Sequence, residues 1–303
     1  MQISILSSPN ILTADIGGSH ITAAIYSFET KTILQPSYTR LKLTSKSSSD
    51  DILNSWGSAF KRVLKSTSLP VSGLSVAMPG PFDYLNGISY IKGLDKYEAI
   101  YGMNIRDHLA GMIGIDPQLV MFRNDAESAI AGEVLLSAGK DDGRILGITL
   151  GSGFGSAFNQ NNITRDINLG SAPYKDTIAD DYLSTRWFLK RYIEETGITL
   201  TGGVKELSLL AEKSLVARNI FKEFAINIGD FLSGPIQHYQ TEDLLICGNI
   251  AKASKFFLPT LSEILTSVSI KLAQFGEQAA LIGAAAMFNE VSGTASKNPI
   301  IKL

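Results

Sequence analysis

The residues best suited to chemistry in this chain are two aspartates and two glycine-rich turns. Asp15 ends an apolar strand and directly precedes Gly17, Gly18 and Ser19. A carboxylate does little for the stability of such a strand. It is well placed to hold Mg2+, directly or through water, beside backbone N–H groups that converge on an anion. Asp125 follows Asn124 where a short buried strand over 119–122 gives way to a helix over 126–137. Two readings fit Asn124-Asp125-Ala126-Glu127. In one, Asn124 and Glu127 form a capping box and Asp125 complements the helix dipole. In the other, Asp125 is a general base that takes a proton from a substrate hydroxyl as it attacks the γ-phosphate of a nucleotide. Phosphoryl transfer is mostly positioning and charge stabilisation, so one carboxylate and a pair of anion-binding turns supply nearly all it needs.

The turns share one build: apolar strand, glycine-rich turn, second strand. The first runs over 11–25 around Gly17-Gly18, the second over 145–158 around Gly151-Ser152-Gly153-Phe154-Gly155. Glycine there is expected to allow positive φ and to leave no side chain in the way of a ligand. Either turn alone fits a purely structural hairpin as well as a phosphate cradle. Together they suggest two lobes of related topology that grip a phosphate tail. The second turn lacks the Rossmann spacing and runs into a strand rather than a helix, and no G-x-x-x-x-G-K-[ST] occurs.

The elements that must position these residues alternate between strand and helix, which predicts α/β layers. Strands are expected near 33, over 38–43 and over 74–78, the last stopped by Pro79-Gly80-Pro81. A helix over 50–65 carries Ile52, Leu53, Trp56, Phe60, Val63 and Leu64 at helical spacing, a core stripe. Another is expected over 105–113, and a turn at 140–143 leads into the second hairpin. Helices over 182–196, 204–213, 216–239, 257–266 and 277–290 surround a late strand over 244–247. The domain junction falls near Met121. That gives a smaller α/β lobe over 1–121, joined by the segment 291–303, and a larger α/β lobe over 122–290.

Composition narrows the function. The chain has 303 residues, 45% of them hydrophobic, and a net charge of −2 with no dense basic run, which argues against nucleic acid as a partner. One cysteine rules out an internal disulfide and suits a reducing compartment. No stretch reaches the roughly 20 apolar residues of a membrane span, and 1–10 lacks a signal-peptide pattern. A cytoplasmic location without membrane contact is expected.

The motifs occur in the order seen in the ROK family of bacterial sugar kinases and related repressors, which this chain resembles. The resemblance rests on Asp15-Ile16-Gly17-Gly18-Ser19, Met78-Pro79-Gly80-Pro81, Asn124-Asp125-Ala126 with Glu133, and Leu150 to Gly155. It extends to Asp180-Asp181-Tyr182-Leu183-Ser184, Leu245-Ile246-Cys247-Gly248 and Ala280 to Ala285. It implies a two-lobed actin/hexokinase-like (ribonuclease H-like) fold, a homodimer, and ATP-dependent phosphorylation of a hexose or N-acetylhexosamine. Asp15, Gly17, Gly18 and Ser19 would face the ATP phosphates and Mg2+, with Gly151, Ser152 and Gly153 cradling the phosphates from the other lobe. Gly248 would border the adenosine. Asn124, Gly80 and Glu133 would serve the sugar, and Asp125 would be the base.

Three departures stand out. The family's Gly-Glu-x-Gly-His segment, which supplies sugar contacts and a zinc-binding His, reads Gly170-Ser171-Ala172-Pro173-Tyr174 here, and the cysteines of that zinc site are missing, so no zinc is expected. Gly93 stands where the family often has a sugar-touching Asn, and Asn249 replaces a glycine. Either groups within 90–98, or Lys175 and Asp176, replace these contacts for a different sugar, or catalysis is weak. The rival reading is thus a ROK-fold sugar or nucleotide sensor. With the first fold strand starting by Ile11, no room is expected for the helix-turn-helix of ROK repressors. An acetate-kinase-like enzyme is disfavoured by the lack of a concentrated Arg/His set.

Overall fold

The computed structural model describes residues 8–137 and 143–294, with only the backbone described over 291–294. The chain divides into two compact units, one of Met1–Leu136 with Glu277–Leu303 and one of Ser137–Gly276. The boundary lies later than the junction expected near Met121, and the helix expected over 277–290 belongs with the first unit, not the second. Both differences have a tertiary cause, described below. Positions 140–142 of the turn expected over 140–143 and the tail 295–303 lie outside the described residues, as do 1–7.

The first unit is built on a sheet that begins with the hairpin β1 (Asn10–Ile16) and β2 (His20–Ser27). Two short strands, β3 (Thr32–Ile33) and β4 (Thr39–Lys42), pair with β2. On the other side β1 pairs in parallel with β5 (Leu74–Met78). Beyond a two-stranded ribbon of β6 (Phe82–Asp83) and β7 (Ile88–Ser89), the chain forms β8 (Val120–Asn124), parallel to β5. This pairing carries Asn124 and Asp125 into the first unit and moves the boundary past Met121.

Alternation along β1 decides which helix covers which face. Leu12, Ala14 and Ile16 pack with α1 (Ser49–Lys65) through Trp56 and Phe60, and α2 (Ile105–Ile113) adds Leu109. Ser48 caps α1 by accepting from the Asp51 N–H at 3.2 Å. On the opposite face, Ile11 meets Leu281, Ile282, Ala285 and Phe288 of the C-terminal helix, Glu277–Thr294. Thr13 Oγ1 donates to Leu281 O at 2.6 Å. That helix also crosses α3 (Asp125–Leu136) at backbone contact distance. A Cβ on Gly132 would lie 1.8 Å from Ala279 O, and one on Gly283 would lie 1.8 Å from Ser128 O, so only glycine fits at either place. Arg123, buried in β8, donates to Gly283 O at 2.7 Å and pairs with Glu290 at 2.5 Å and Glu127 at 3.1 Å. These contacts bind the C-terminal helix to the first unit.

The second unit repeats the strand order. The antiparallel run of β9 (Ile145–Leu150), β10 (Phe154–Gln160) and β11 (Ile163–Asp166) has a small ribbon, β12 (Pro173–Tyr174) with β13 (Thr177–Ile178), after it. The strands β14 (Asp243–Cys247) and β15 (Ser269–Leu272) continue the sheet in parallel from β9. The second sheet therefore reads third, second, first, fourth, fifth strand, and the first reads the same once β4, which pairs with β2 off the main path, is set aside. The helix expected over 182–196 is broken at Leu183 and Ser184 into α4 (Ala179–Tyr182) and α5 (Thr185–Thr196). These are followed by α6 (Gly203–Leu210), α7 (Leu215–His238) and α8 (Leu258–Ile264). The core joins Leu146, Ile148 and Leu150 to an aromatic cluster of Phe188, Phe221, Phe224 and Phe257. Among the described residues no helix is long and apolar enough to cross a membrane.

Candidate active site

In the first unit the parallel strands β1, β5 and β8 end at one edge of the sheet. Asp15 pairs in register with Ala77, Ala77 with Arg123, and Met78 with Asn124. The register thus brings Asp15, the Met78-Pro79-Gly80 turn and Asn124-Asp125 together. The pleat puts Asp15 on the face of Ile11 and Thr13, the face that carries the C-terminal helix and its first residue, Glu277.

Asp15 is half-buried, and among the described residues its carboxylate accepts no hydrogen bond. Burial pushes its pKa up to about 7, with the charges of Asp125 and Glu277 adding to the rise and Arg40 opposing it. Asp125, the first residue of α3, is also raised by burial; the Ala126 N–H and the Lys96 charge pull it down. Two carboxylates that repel each other at a strand edge cost stability, and such a pair is what acid–base and metal chemistry requires.

Asn124 caps α3 and also reaches the loop after β6. Its Oδ1 accepts from the N–H groups of Ala126 at 2.9 Å and Glu127 at 3.2 Å, the expected cap, and Asp125 Oδ1 also accepts from Ala126 N at 2.8 Å. Its Nδ2 donates to the Tyr84 hydroxyl at 3.1 Å, and that hydroxyl donates to Met78 O at 3.0 Å. A Cβ on Gly80 would lie 3.2 Å from the same hydroxyl. Tyr84, which no sequence signal singled out, therefore ties Gly80 to Asn124. Glu133 is buried farther along α3, eight residues on from Asp125, which is about 12 Å along the helix axis.

Positive φ, the first of the two reasons expected, does not explain the glycines of the turns. Gly17, Gly18, Gly151 and Gly153 all lie outside the positive-φ region. Nor does packing demand them at most of these places. A Cβ on Gly18 would meet only Lys96 Cδ, at 4.0 Å, and one on Gly151 only Gly153 O, at 3.9 Å. Gly18 and Ser19 are exposed, and Ser19 Oγ lies 2.9 Å from His20 Nδ1. The Gly17 carbonyl accepts from the hydroxyl of Tyr97, a fully buried residue packed on Trp56. The open side of the turn is therefore free for a ligand to approach the backbone.

In the second unit β9 and β14 also end together, and this brings Gly248 to the Gly151 turn. Gly248 has φ +92°, and a Cβ there would lie 2.3 Å from Leu150 O, so the fold alone demands this glycine. Ser152 and Gly153 are exposed. The turn is held by the chain itself. Thr185 donates to Gly151 O through both N and Oγ1, each at 2.8 Å. Asp180 accepts from Phe154 N at 2.5 Å and is paired with Arg186. Asp180 stood in the motif from the start, but its part in holding this turn was not legible there.

The segment that departs from the family pattern has its own network. Gly170 is required because a Cβ would lie 2.4 Å from Phe154 O. Tyr174 donates to Asp230 at 2.9 Å and Lys175 to Asn227 at 2.7 Å, while Asp176 accepts from Tyr182. Lys175 and Asp176 are thus engaged within their own unit. Gly93 has φ +72° with open space around it, and Asn249 accepts from Lys252 at 2.8 Å. His, Cys, Asp and Glu residues nowhere gather in threes fit to hold a metal ion among the described residues. One partnerless carboxylate suits Mg2+ that arrives on phosphates, which takes one or two protein carboxylates.

Solved structures share this fold. The chain is similar to a ROK hexokinase from Thermus thermophilus, at 18% identity and a TM-score of 0.77, over 94% of this chain and 99% of that one. It is also similar to a ROK family glucokinase from Streptomyces griseus in complex with glucose and AMPPNP, at 19% identity and a TM-score of 0.74, over 92% and 98%. A ROK family transcriptional regulator, a homologue of the E. coli MLC protein, matches at 14% identity and a TM-score of 0.77, over 95% of this chain and 79% of that one. No curated protein matches the sequence. These likenesses establish the two-lobed, actin/hexokinase-like α/β fold. The ROK family model itself matches residues 11–173, more than half of the sequence and every motif from Asp15 through the second glycine turn, so the chain belongs to the ROK family.

Proposed function

We propose that the chain is an ATP-dependent sugar kinase that phosphorylates a hydroxyl of a hexose or N-acetylhexosamine. The observation that carries this reading is Asp125. It stands at a strand-to-helix junction, raised by burial and beside a second carboxylate without a hydrogen-bond partner. A cap alone calls for neither feature, because Asn124 already fills that role.

In this mechanism Asn124 and the Gly80 turn orient the sugar, and Asp125 accepts the proton of the attacking hydroxyl. The N–H groups of the exposed Gly18 and Ser19, and those of Ser152 and Gly153 in the second unit, bind phosphate oxygens without an intervening side chain, while the Gly17 and Gly151 N–H groups close their turns on His20 O and Gly153 O. Asp15 would hold Mg2+, which when bound neutralises charge on the β- and γ-phosphates. Gly248 follows β14 beside the second turn and would leave its exposed backbone to the nucleotide.

A coupled ADP-release assay across hexoses and amino sugars tests the proposal. Turnover of at least one sugar is expected. No turnover with any sugar, alongside measurable sugar or nucleotide binding, would establish the second reading, a catalytically weak ROK-fold sensor. That second reading draws on the Gly170 to Tyr174 segment, which has neither the Glu nor the His of the kinase pattern.

A further inference from the structure

Lys96 bears on both halves of the first unit's edge, the glycine turn and Asp125. Its Cδ is the only atom within reach of a Cβ on Gly18, at 4.0 Å, so its methylene chain runs beside the open side of the glycine turn. Its charge acts on Asp125. Among the described residues its ammonium makes no hydrogen bond or ion pair, although charged groups surround it in sequence. Asp95 is taken by Lys46, and Glu98 accepts from the Asp95 N–H at 3.1 Å.

The backbone is held in costly conformations to keep it there. Gly93, Asp95 and Tyr97 have φ of +72°, +56° and +56°, two of them non-glycine residues. Tyr97 anchors the segment: its N–H donates to Ser45 O at 2.7 Å, its hydroxyl to Gly17 O, and its ring packs on Trp56. Left-handed residues persist only where the surrounding structure over-determines them, and they gather at functional sites. The tyrosine fixes the lysine against the turn, and the turn fixes the tyrosine.

From this placement we infer that Lys96 is a catalytic residue, whose ammonium holds the phosphoryl group as it passes from nucleotide to acceptor. The inference rests on the kinase reading above. A cation between a phosphate-binding turn and the base stands where that group must travel. In the step, the bond between the γ-phosphorus and the β,γ-bridging oxygen breaks, and its electron pair leaves with ADP. A bond forms from the sugar oxygen to the γ-phosphorus, and the hydroxyl proton goes to the Asp125 carboxylate. Lys96 keeps its protons throughout and supplies charge, the role in which a lysine ammonium serves phosphate as a point charge.

The test uses the full chain with Lys96→Met and Lys96→Arg, both checked for unchanged thermal unfolding. Calorimetry with ATP and with ADP, each with Mg2+, reads contact with the γ-phosphate without turnover. Lys96→Met is expected to lose the preference for ATP over ADP by about tenfold with ADP affinity kept, and to lower kcat about 10²–10³-fold at unchanged sugar KM. Lys96→Arg is expected to recover part of both. An unchanged ATP-to-ADP ratio in Lys96→Met overturns the inference, including the case in which only the acid limb of kcat/KM moves, since that would make Lys96 a tuner of Asp125. If the wild-type chain turns over no sugar, the kinase reading falls, while the ratio still decides for or against Lys96.

Discussion

The two glycine hairpins have the same strand order behind them and opposite electrostatics in front. The turn after β9 is satisfied by the protein: Asp180 accepts from its Phe154 N–H, Arg186 neutralises Asp180, and Thr185 fills the Gly151 carbonyl. The turn after β1 borders groups left in tension: among the described residues the Asp15 carboxylate accepts no hydrogen bond, and burial raises it, with Asp125 and Glu277 adding to the rise. A fold that can build the first kind of edge has no structural need for the second. On the proposed function, the difference would put the chemistry in the first unit and make the second a prebuilt cradle.

The comparison can be broken most forcefully at Asp125. Asp125→Asn is expected to lower kcat by about 10²–10⁴-fold while ATP and sugar dissociation constants stay within a few-fold. An activity change under tenfold, with about 1 kcal/mol lost in stability, would reduce Asp125 to a helix cap. Next comes Gly248, which the second unit's own packing demands. Gly248→Ala must place a Cβ 2.3 Å from Leu150 O at φ +92°, and urea unfolding is expected to show a loss of about 3 kcal/mol.

Asp15→Asn is expected to do the reverse and stabilise the chain. A raised folded-state pKa means that the native state holds the Asp15 proton more tightly than the unfolded chain. The cost of ionising it is absent below the usual value of 3.8 and grows as pH rises through about 7. In EDTA at pH 8 the variant is expected to gain about 2 kcal/mol over wild type, a gain that fades towards pH 4. A pH-independent difference would show that Asp15 is not under strain. The smallest effect is expected of Gly18→Ala, within about 0.5 kcal/mol in stability, because neither φ nor packing requires the glycine. Its loss should appear in ATP affinity instead.

Much of this was legible in the sequence because it is local. The apolar stripe of α1 and the span of α2 follow from helical periodicity, and Asp15, Asn124 and Asp125 follow from residue types at strand ends. What escaped is what pairing across long separations decides. The parallel pairing of β5 with β8 sets the unit boundary, and β15, a four-residue edge strand, left no apolar run to notice. Tyr84 and Lys96 reach the site only through folding, Lys96 across 78 positions to Gly18. Conversely, the sequence offers no way to tell a glycine demanded by packing, such as Gly132 or Gly248, from one left open, such as Gly18 or Gly151.

The C-terminal helix has a consequence for how the chain is made. Arg123 lies in the first unit's sheet with Glu127 beside it, but two of its partners, Glu290 and the Gly283 carbonyl, are more than 150 residues downstream. A ribosome therefore delivers all of the second unit before it delivers the helix that completes the first. Until then the nascent first unit carries an uncovered apolar sheet face and a guanidinium short of two of its partners. Order of synthesis and order of completion are inverted: the unit translated first is the last to close.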